Sequence, residues 1–203
     1  MTSTAQRPVA AAQVSLRLLA LEDAPVLARL EHENREELLV GAPLREEEWF
    51  TAAGQRSMIE QSLADGEEGR GVPLAIWLAQ DGAERLVGRL SLSGIVRGAA
   101  QSASLGYWVG REVAGRGIAT HAVRASLPLA FGALGLHRLQ AEVQDGNAAS
   151  ERILTRCGFQ EIGLAPAYLH LGGRWVDCRL FQLVDAGWRE GTPGPAAAGL
   201  SPR

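Results

Sequence analysis

The hydrophobic positions of this chain change period several times, and each change marks an element. Val14, Leu16 and Leu18 alternate with polar residues, as in a half-buried strand. From Glu22 and Asp23 onward the spacing becomes helical, with Val26, Leu27 and Leu30 on one face and Asp23 placed to cap the helix. Its polar continuation, Glu31 to Glu37, is expected to project toward solvent or substrate. A second amphipathic segment runs from Glu46 to Leu63 with Trp49, Phe50, Met58, Ile59 and Leu63 as its apolar set, and the glycines between Gly66 and Gly71 break it. Two strand-like runs follow, Leu74–Ala79 and Leu86–Leu92, joined through the turn signal Asp81-Gly82. Ser102–Val109 predicts another strand. After it comes a helix from about Gly117, with Pro128 inside it, where a proline should kink or shorten the helix. His137–Val143 reads as a strand, Asn147–Cys157 as a short helix, and Phe159–Gly163 and Val176–Val184 as the last strands.

This order predicts an α+β fold: a mixed, mostly antiparallel central sheet with helices on both faces. Residues 1–12 and 190–203 are small, carry Pro and Gly and lack a hydrophobic period, so they are expected to be disordered tails around a single domain over 13–189. A chain of 203 residues with 46% hydrophobic content can bury one proper core. The net charge of −3, without a basic block, argues against a nucleic-acid partner. Ala125–Leu136, the longest nearly apolar run, is too short to span a bilayer, and Gln13 and Arg17 interrupt any signal-like stretch. A cytoplasmic monomer or homodimer is expected. Cys157 and Cys178 lack metal-ligand spacing and are expected to be reduced core thiols, with no metal site.

Chemistry enters at Gly106–Ala125. A strand ending in Tyr107, Trp108 and Val109 passes through Gly110, Gly115 and Gly117 into a helix start at Ile118. The first turn of a helix has unpaired N–H groups and a partial positive charge, and glycines let a phosphate come close to them. Gly115, Arg116, Gly117, Ile118, Ala119 and Thr120 therefore read as a pyrophosphate cradle, with the Arg111 and Arg116 side chains as added cationic contacts. All 20 basic residues are arginines. Without a lysine there is no Walker-type phosphate binding and no Schiff-base chemistry. A dinucleotide fingerprint fails as well, because Thr120 stands where a third glycine should be.

Gly106-Tyr107-Trp108, then Gly115-Arg116-Gly117-Ile118-Ala119-Thr120, then Asn147 with Ser150, then Cys157-Gly158-Phe159 together resemble the GNAT superfamily of acyl-CoA N-acyltransferases, in its ribosomal-protein N-terminal alanine acetyltransferase branch. The resemblance covers roughly residues 14 to 185. It implies a splayed pair of central strands, here Trp108–Gly110 and Val143, with Gly106 and Gly110 easing a bulge. It also implies acetyl-CoA or another acyl-CoA as co-substrate, bound with help from Trp108, Val109 and Asn147. The acceptor would be a primary amine, on a protein N-terminus or on a small molecule. Ser150 would protonate the leaving thiolate, with Tyr107 and Tyr168 as weaker candidates, and Asn147 would order pantetheine. Backbone N–H groups near Trp108 and Val109 would hold the oxyanion.

Several of these residues also have plain structural readings. Asn147 is an ordinary helix N-cap, Gly158 a helix-stopping C′ glycine, and Phe159 a core residue. The sequence departs from the family pattern at Ser104, where relatives often carry a glutamate base, and at Ala114. Glu142 and Glu33 are the remaining carboxylates that analogy places nearby, and Glu142 is the candidate base. The missing glutamate leaves a second reading open, a non-catalytic CoA-binding or regulatory module of the same fold.

Overall fold

The computed structural model describes residues 13–189. Seven strands form one sheet: β1 (Val14–Leu18), β2 (Val72–Gln80), β3 (Ala83–Val96), β4 (Ser102–Val109), β5 (Arg138–Gln144), β6 (Gln160–Leu171) and β7 (Arg174–Val184). Their spatial order is β1-β2-β3-β4-β5-β7-β6, and every neighbouring pair is antiparallel except β4–β5. Helices α1 (Ala24–Glu33), α2 (Arg35–Gly41) and α3 (Ala52–Glu67) come before β2, while α4 (Ile118–Leu127) and α5 (Ala148–Arg156) flank β5 in the chain.

Strand alternation sorts the side chains onto two faces. On one, Leu105, Leu139, Ala141 and Val143 are buried with Ile118, Ala122, Val123 and Leu154 of α4 and α5. On the other, Ala75 and Leu86 pack against Leu27 and Leu30 of α1 and Ile59 of α3, with Trp77 and Trp108 at the margin. Burying one such aliphatic side chain contributes about 1.5–3 kcal/mol. The two cores thus fix which helix ends can reach the middle of the sheet.

That middle is open. β4 and β5 pair only from Ser102 to Ser104 against Arg138 to Gln140. Beyond these residues β4 stays with β3 as far as Val109 and β5 stays with β7 as far as Gln144, so the two strands diverge. The splay predicted from the sequence is present, but the predicted bulge is not. Gly106 sits in regular register opposite Ser91, and the irregularities fall at Ser93/Val96 and Ile76/Trp77. The glycine that matters to this edge is Gly88. A Cβ there would lie 2.2 Å from the Trp108 carbonyl oxygen, so only glycine lets the end of β4 lie this close to β3.

Other expectations need correction. Asp23 does not cap α1 with its side chain; Oδ2 accepts from the Ala20 N–H at 2.9 Å and closes the short 3-10 turn before the helix. Within Glu31–Glu37, Glu31 and Asn34 are buried, because α1 ends against the sheet and not in water. Pro128 ends α4 at Leu127, and the chain continues as a π-helical turn over Pro128–Ala133, in which the Leu134 N–H donates to the Leu129 oxygen five residues back. β6 runs to Leu171 despite Pro166. It is an edge strand, where a missing N–H costs no ladder bond, and a register shift between Ala165 and Leu169 absorbs the irregularity. The predicted tails lie outside the described residues.

Candidate active site

Gly117 precedes α4 with φ +86°, in the left-handed region, and Gly115 has φ +75°. Neither glycine is forced by crowding. A Cβ at 115 would meet nothing within 4 Å, and one at 117 would meet only His121 ring atoms at 3.9 Å. The glycines set the turn and leave room above it. No side chain of the described residues caps α4, so its first-turn N–H groups stay available to an anion. They border a cleft of about 580 Å³ whose lining includes Gly115, Gly117, Ile118, Ala119, Thr120 and Arg111. The far wall comes from α5, through Asn147, Ala149, Ser150, Arg152, Ile153 and Arg156. A backbone cradle at one end and the splayed strand at the other suit an extended ligand with a phosphate-bearing head, as an acyl-CoA is.

The two predicted arginines separate. Arg111 lines the cleft and lies 3.5 Å from Glu37 in an exposed pair, while its backbone N–H donates to Asn34 Oδ1 at 2.7 Å. Arg116 turns away; its guanidinium donates to Gln80 Oε1 at 3.0 Å, and it is not among the residues lining the cleft. Arg152 and Arg156 supply exposed cationic side chains there instead. Asn34 is a residue of the cleft wall that sequence reading missed. Besides the Arg111 bond, its Nδ2 donates to the Leu30 oxygen at 2.7 Å, so one buried side chain ties the α1–α2 junction to the start of the cradle.

At the splay, Asn147 caps α5 by accepting the Ser150 N–H at 3.1 Å. That cap turns Ser150 toward β4, where its Oγ lies 2.8 Å from Tyr107 Oη. Burial pushes the Tyr107 phenol up to about 12, with the Ser150 hydrogen bond opposing, so the ring oxygen stays protonated near neutral pH. Trp108 and Val109 continue along the same wall. A second cavity of about 230 Å³ shares Tyr107, Asn147 and Ser150 with the cleft and is also lined by Gly106, Glu142 and Leu169. Glu142 alternates with buried Ala141 and Val143, so it stands on the sheet face opposite α4 and α5. Ser104 Oγ donates to its Oε1 at 3.2 Å. The gap therefore has a hydroxyl pair on the cleft side and a carboxylate on the other. Tyr168 is exposed on β6 and lines neither cavity. The plain readings hold for Gly158, with φ +89° just past α5, and for buried Phe159, Cys157 and Cys178, both cysteines being free thiols. Among the described residues no His/Cys/Asp/Glu group could hold a metal, and no helix is long and apolar enough to cross a membrane.

The comparisons with known proteins agree with this geometry. Residues 13–160 match the acetyltransferase (GNAT) domain. The chain is 33% identical over 172 residues to the probable N-acetyltransferase YjcK of Bacillus subtilis, covering 85% of this chain and 94% of that one. The ribosomal-protein-S5-alanine acetyltransferase of Vibrio fischeri superposes with a TM-score of 0.81 at 26% identity, over 87% of this chain and 96% of that one. RimJ of Mycobacterium smegmatis, in complex with CoA-disulfide, superposes with a TM-score of 0.79 at 33% identity, over 84% and 81%. The non-catalytic alternative gives way to these matches. The chain belongs to the GNAT acetyltransferase family and is an acyl-CoA-dependent N-acetyltransferase.

Proposed function

We propose that the protein acetylates the α-amine of a polypeptide N-terminus, with the coenzyme in the α4–α5 cleft and the amine arriving from the opposite face of the sheet. The observation that carries this reading is the pair of cavities meeting at Tyr107, Asn147 and Ser150. A thioester threaded between β4 and β5 from one side is open to attack from the other. Relatives include the ribosomal-protein-S5-alanine acetyltransferase of Vibrio fischeri and the ribosomal protein uS5-alanine N-acetyltransferase of Escherichia coli, which supports a protein acceptor.

In this reading Glu142 takes a proton from the incoming ammonium, and Ser104 holds one of its oxygens so that the other is free for the task. An α-amine titrates near 8, so a weak base suffices. The neutral nitrogen attacks the thioester carbon, and β4 amides past Ser104, which have no partner on β5, receive the oxyanion. As the C–S bond breaks, Ser150 delivers its proton to the sulfur and is reprotonated through Tyr107 Oη, 2.8 Å away, by the second proton that the nitrogen loses on becoming an amide. Asn147 fixes Ser150 through the helix cap. The cradle of Gly115–Thr120 holds the pyrophosphate with backbone donors, and Trp108, Val109 and Arg111 complete the walls.

Thiol release from acetyl-CoA, measured with peptides of varied N-termini and with a panel of small amines, tests this. Release with N-terminal alanine or serine peptides well above the acceptor-free background is expected. Release only with small-molecule amines would overturn the polypeptide reading.

A further inference from the structure

Across the sheet from α4 and α5 lies a third cavity of about 60 Å³, walled by Glu31, Arg35, Arg45, Trp49, Arg89 and Trp108 among others. Arg89 and Trp108 are cross-strand partners, so their side chains enter it together. Arg89 Nε and Trp108 Nε1 are both buried with no hydrogen-bond partner among the described residues. The rest of the arrangement is already committed. Arg89 Nη2 donates to Glu31 Oε1 at 2.9 Å, and the other Glu31 oxygen accepts from Trp49 Nε1 at 3.1 Å. Two buried, unpartnered N–H donors on cross-strand residues that both wall a space with room for a carboxylate and none for a ring mark the place of an absent acceptor.

Charge narrows the choice of acceptor. Arg35 is paired with Glu47 and Arg89 with Glu31. Arg45 stacks over Trp49 at 3.8 Å, and no carboxylate pairs with it among the described residues. The site thus carries one positive charge in excess, beside the two donors. Its position matters equally, because Trp108 and Leu38 line both this cavity and the coenzyme cleft, and Trp108 directly follows Tyr107.

We propose that this cavity binds a carboxylate of the acceptor, carried within about one residue of the reacting amine, and so sets acceptor preference. The proposal rests on the protein being an α-amine acetyltransferase. One carboxylate oxygen would meet Arg89 Nε and the other Trp108 Nε1, with Arg45 at the mouth. The carboxylate has two possible sources, an acidic side chain at the second position of a polypeptide or the free α-carboxylate of an amino acid.

The test is acetyl-CoA turnover with matched acceptors: peptides beginning Ala-Asp and Ala-Asn, and free alanine against alaninamide. One carboxylate-bearing member should exceed its amide partner in kcat/KM by about tenfold or more, the effect of one charge-assisted hydrogen bond. Whichever pair shows the difference identifies the source; turnover confined to free alanine would keep the carboxylate site and overturn the polypeptide acceptor. In Arg45→Gln the ratio should shrink severalfold, and in Arg45→Glu it should fall to one or invert; the residue is exposed, so neither change threatens the fold. Equal kcat/KM within both wild-type pairs would overturn the carboxylate site while leaving α-amine acetylation standing, as would an undiminished preference in Arg45→Glu. No thiol release with any of the four would overturn both.

Discussion

The coenzyme cleft and the face across the sheet are made of different material. The cleft's anion end is backbone: two glycines with positive φ and an uncapped helix start. The opposite face is built from side chains of distant segments, Glu31 from α1, Trp49 before α3, Arg89 from β3, Trp108 from β4 and Glu142 from β5. A backbone site needs particular residues at fixed local spacing and tolerates almost any side chain beside them. A side-chain site needs particular groups brought together by the fold, at no fixed spacing along the chain. On the proposed reading, the first kind holds the coenzyme and the second is where acceptors are told apart.

The largest predicted effect probes the meeting point of the two regions. Ser150→Ala should lower kcat by about 10²–10⁴ with CoA affinity nearly unchanged. A variant that folds and keeps more than about a third of wild-type kcat would make Ser150 a helix residue only and shift the proton to Tyr107 or water. Gly117→Val bears on the backbone side. It should weaken CoA binding about 10²-fold by calorimetry, the loss of roughly two charge-assisted hydrogen bonds of about 1.5 kcal/mol each. Unchanged affinity would show that the cradle is not made of main chain.

Asn34→Ala probes the strut between the regions. Loss of its bonds to the Arg111 N–H and the Leu30 oxygen should cost about 1–3 kcal/mol in denaturant unfolding. A smaller effect is a pH dependence. The folded-state value of Tyr107, about 12, stands above its ordinary 10.0, so its contribution to stability is complete below pH 10.0 and is lost as pH rises toward about 12. Tyr107→Phe should remove that limb from a stability–pH profile, and an unaltered limb would assign it to other groups. The smallest effect is expected for Arg116→Ala. Its guanidinium faces Gln80, so CoA affinity should change by less than about twofold. A tenfold loss would restore Arg116 to the phosphate site.

What the sequence shows divides along the same line. Ser102–Val109 is a strand with the predicted ends, and the helix begins within one residue of Gly117. Asn147 and Ser150 also lie where their spacing put them, since a helix cap is a local event with a local signature. The burial of Glu31 and Asn34 was not legible. Each sits in a run of charged residues that looks solvated, and only the packing of α1 and α3 against β3 reveals Arg89 and Trp49 as partners of Glu31. Arg116 misled for the opposite reason: its place within the cradle is local, but its side-chain direction is set by Gln80, 36 residues earlier. Gly88 carried no signal either, because its necessity comes from the Trp108 carbonyl on a neighbouring strand.

The short parallel pairing of β4 with β5 has a consequence outside catalysis. Three residue pairs and the Gln101 oxygen, which accepts from the His137 and Arg138 N–H groups, hold two half-sheets together along this seam, and on the proposed reading the ligand that enters between them acts as a removable strand. Resistance to unfolding then follows the supply of that ligand by mass action, rising by about 2.7 kcal/mol at a hundred times its dissociation constant. In a cell short of acyl-CoA such a protein would lose part of its lifetime together with its substrate, so that its abundance and its activity would fall in step.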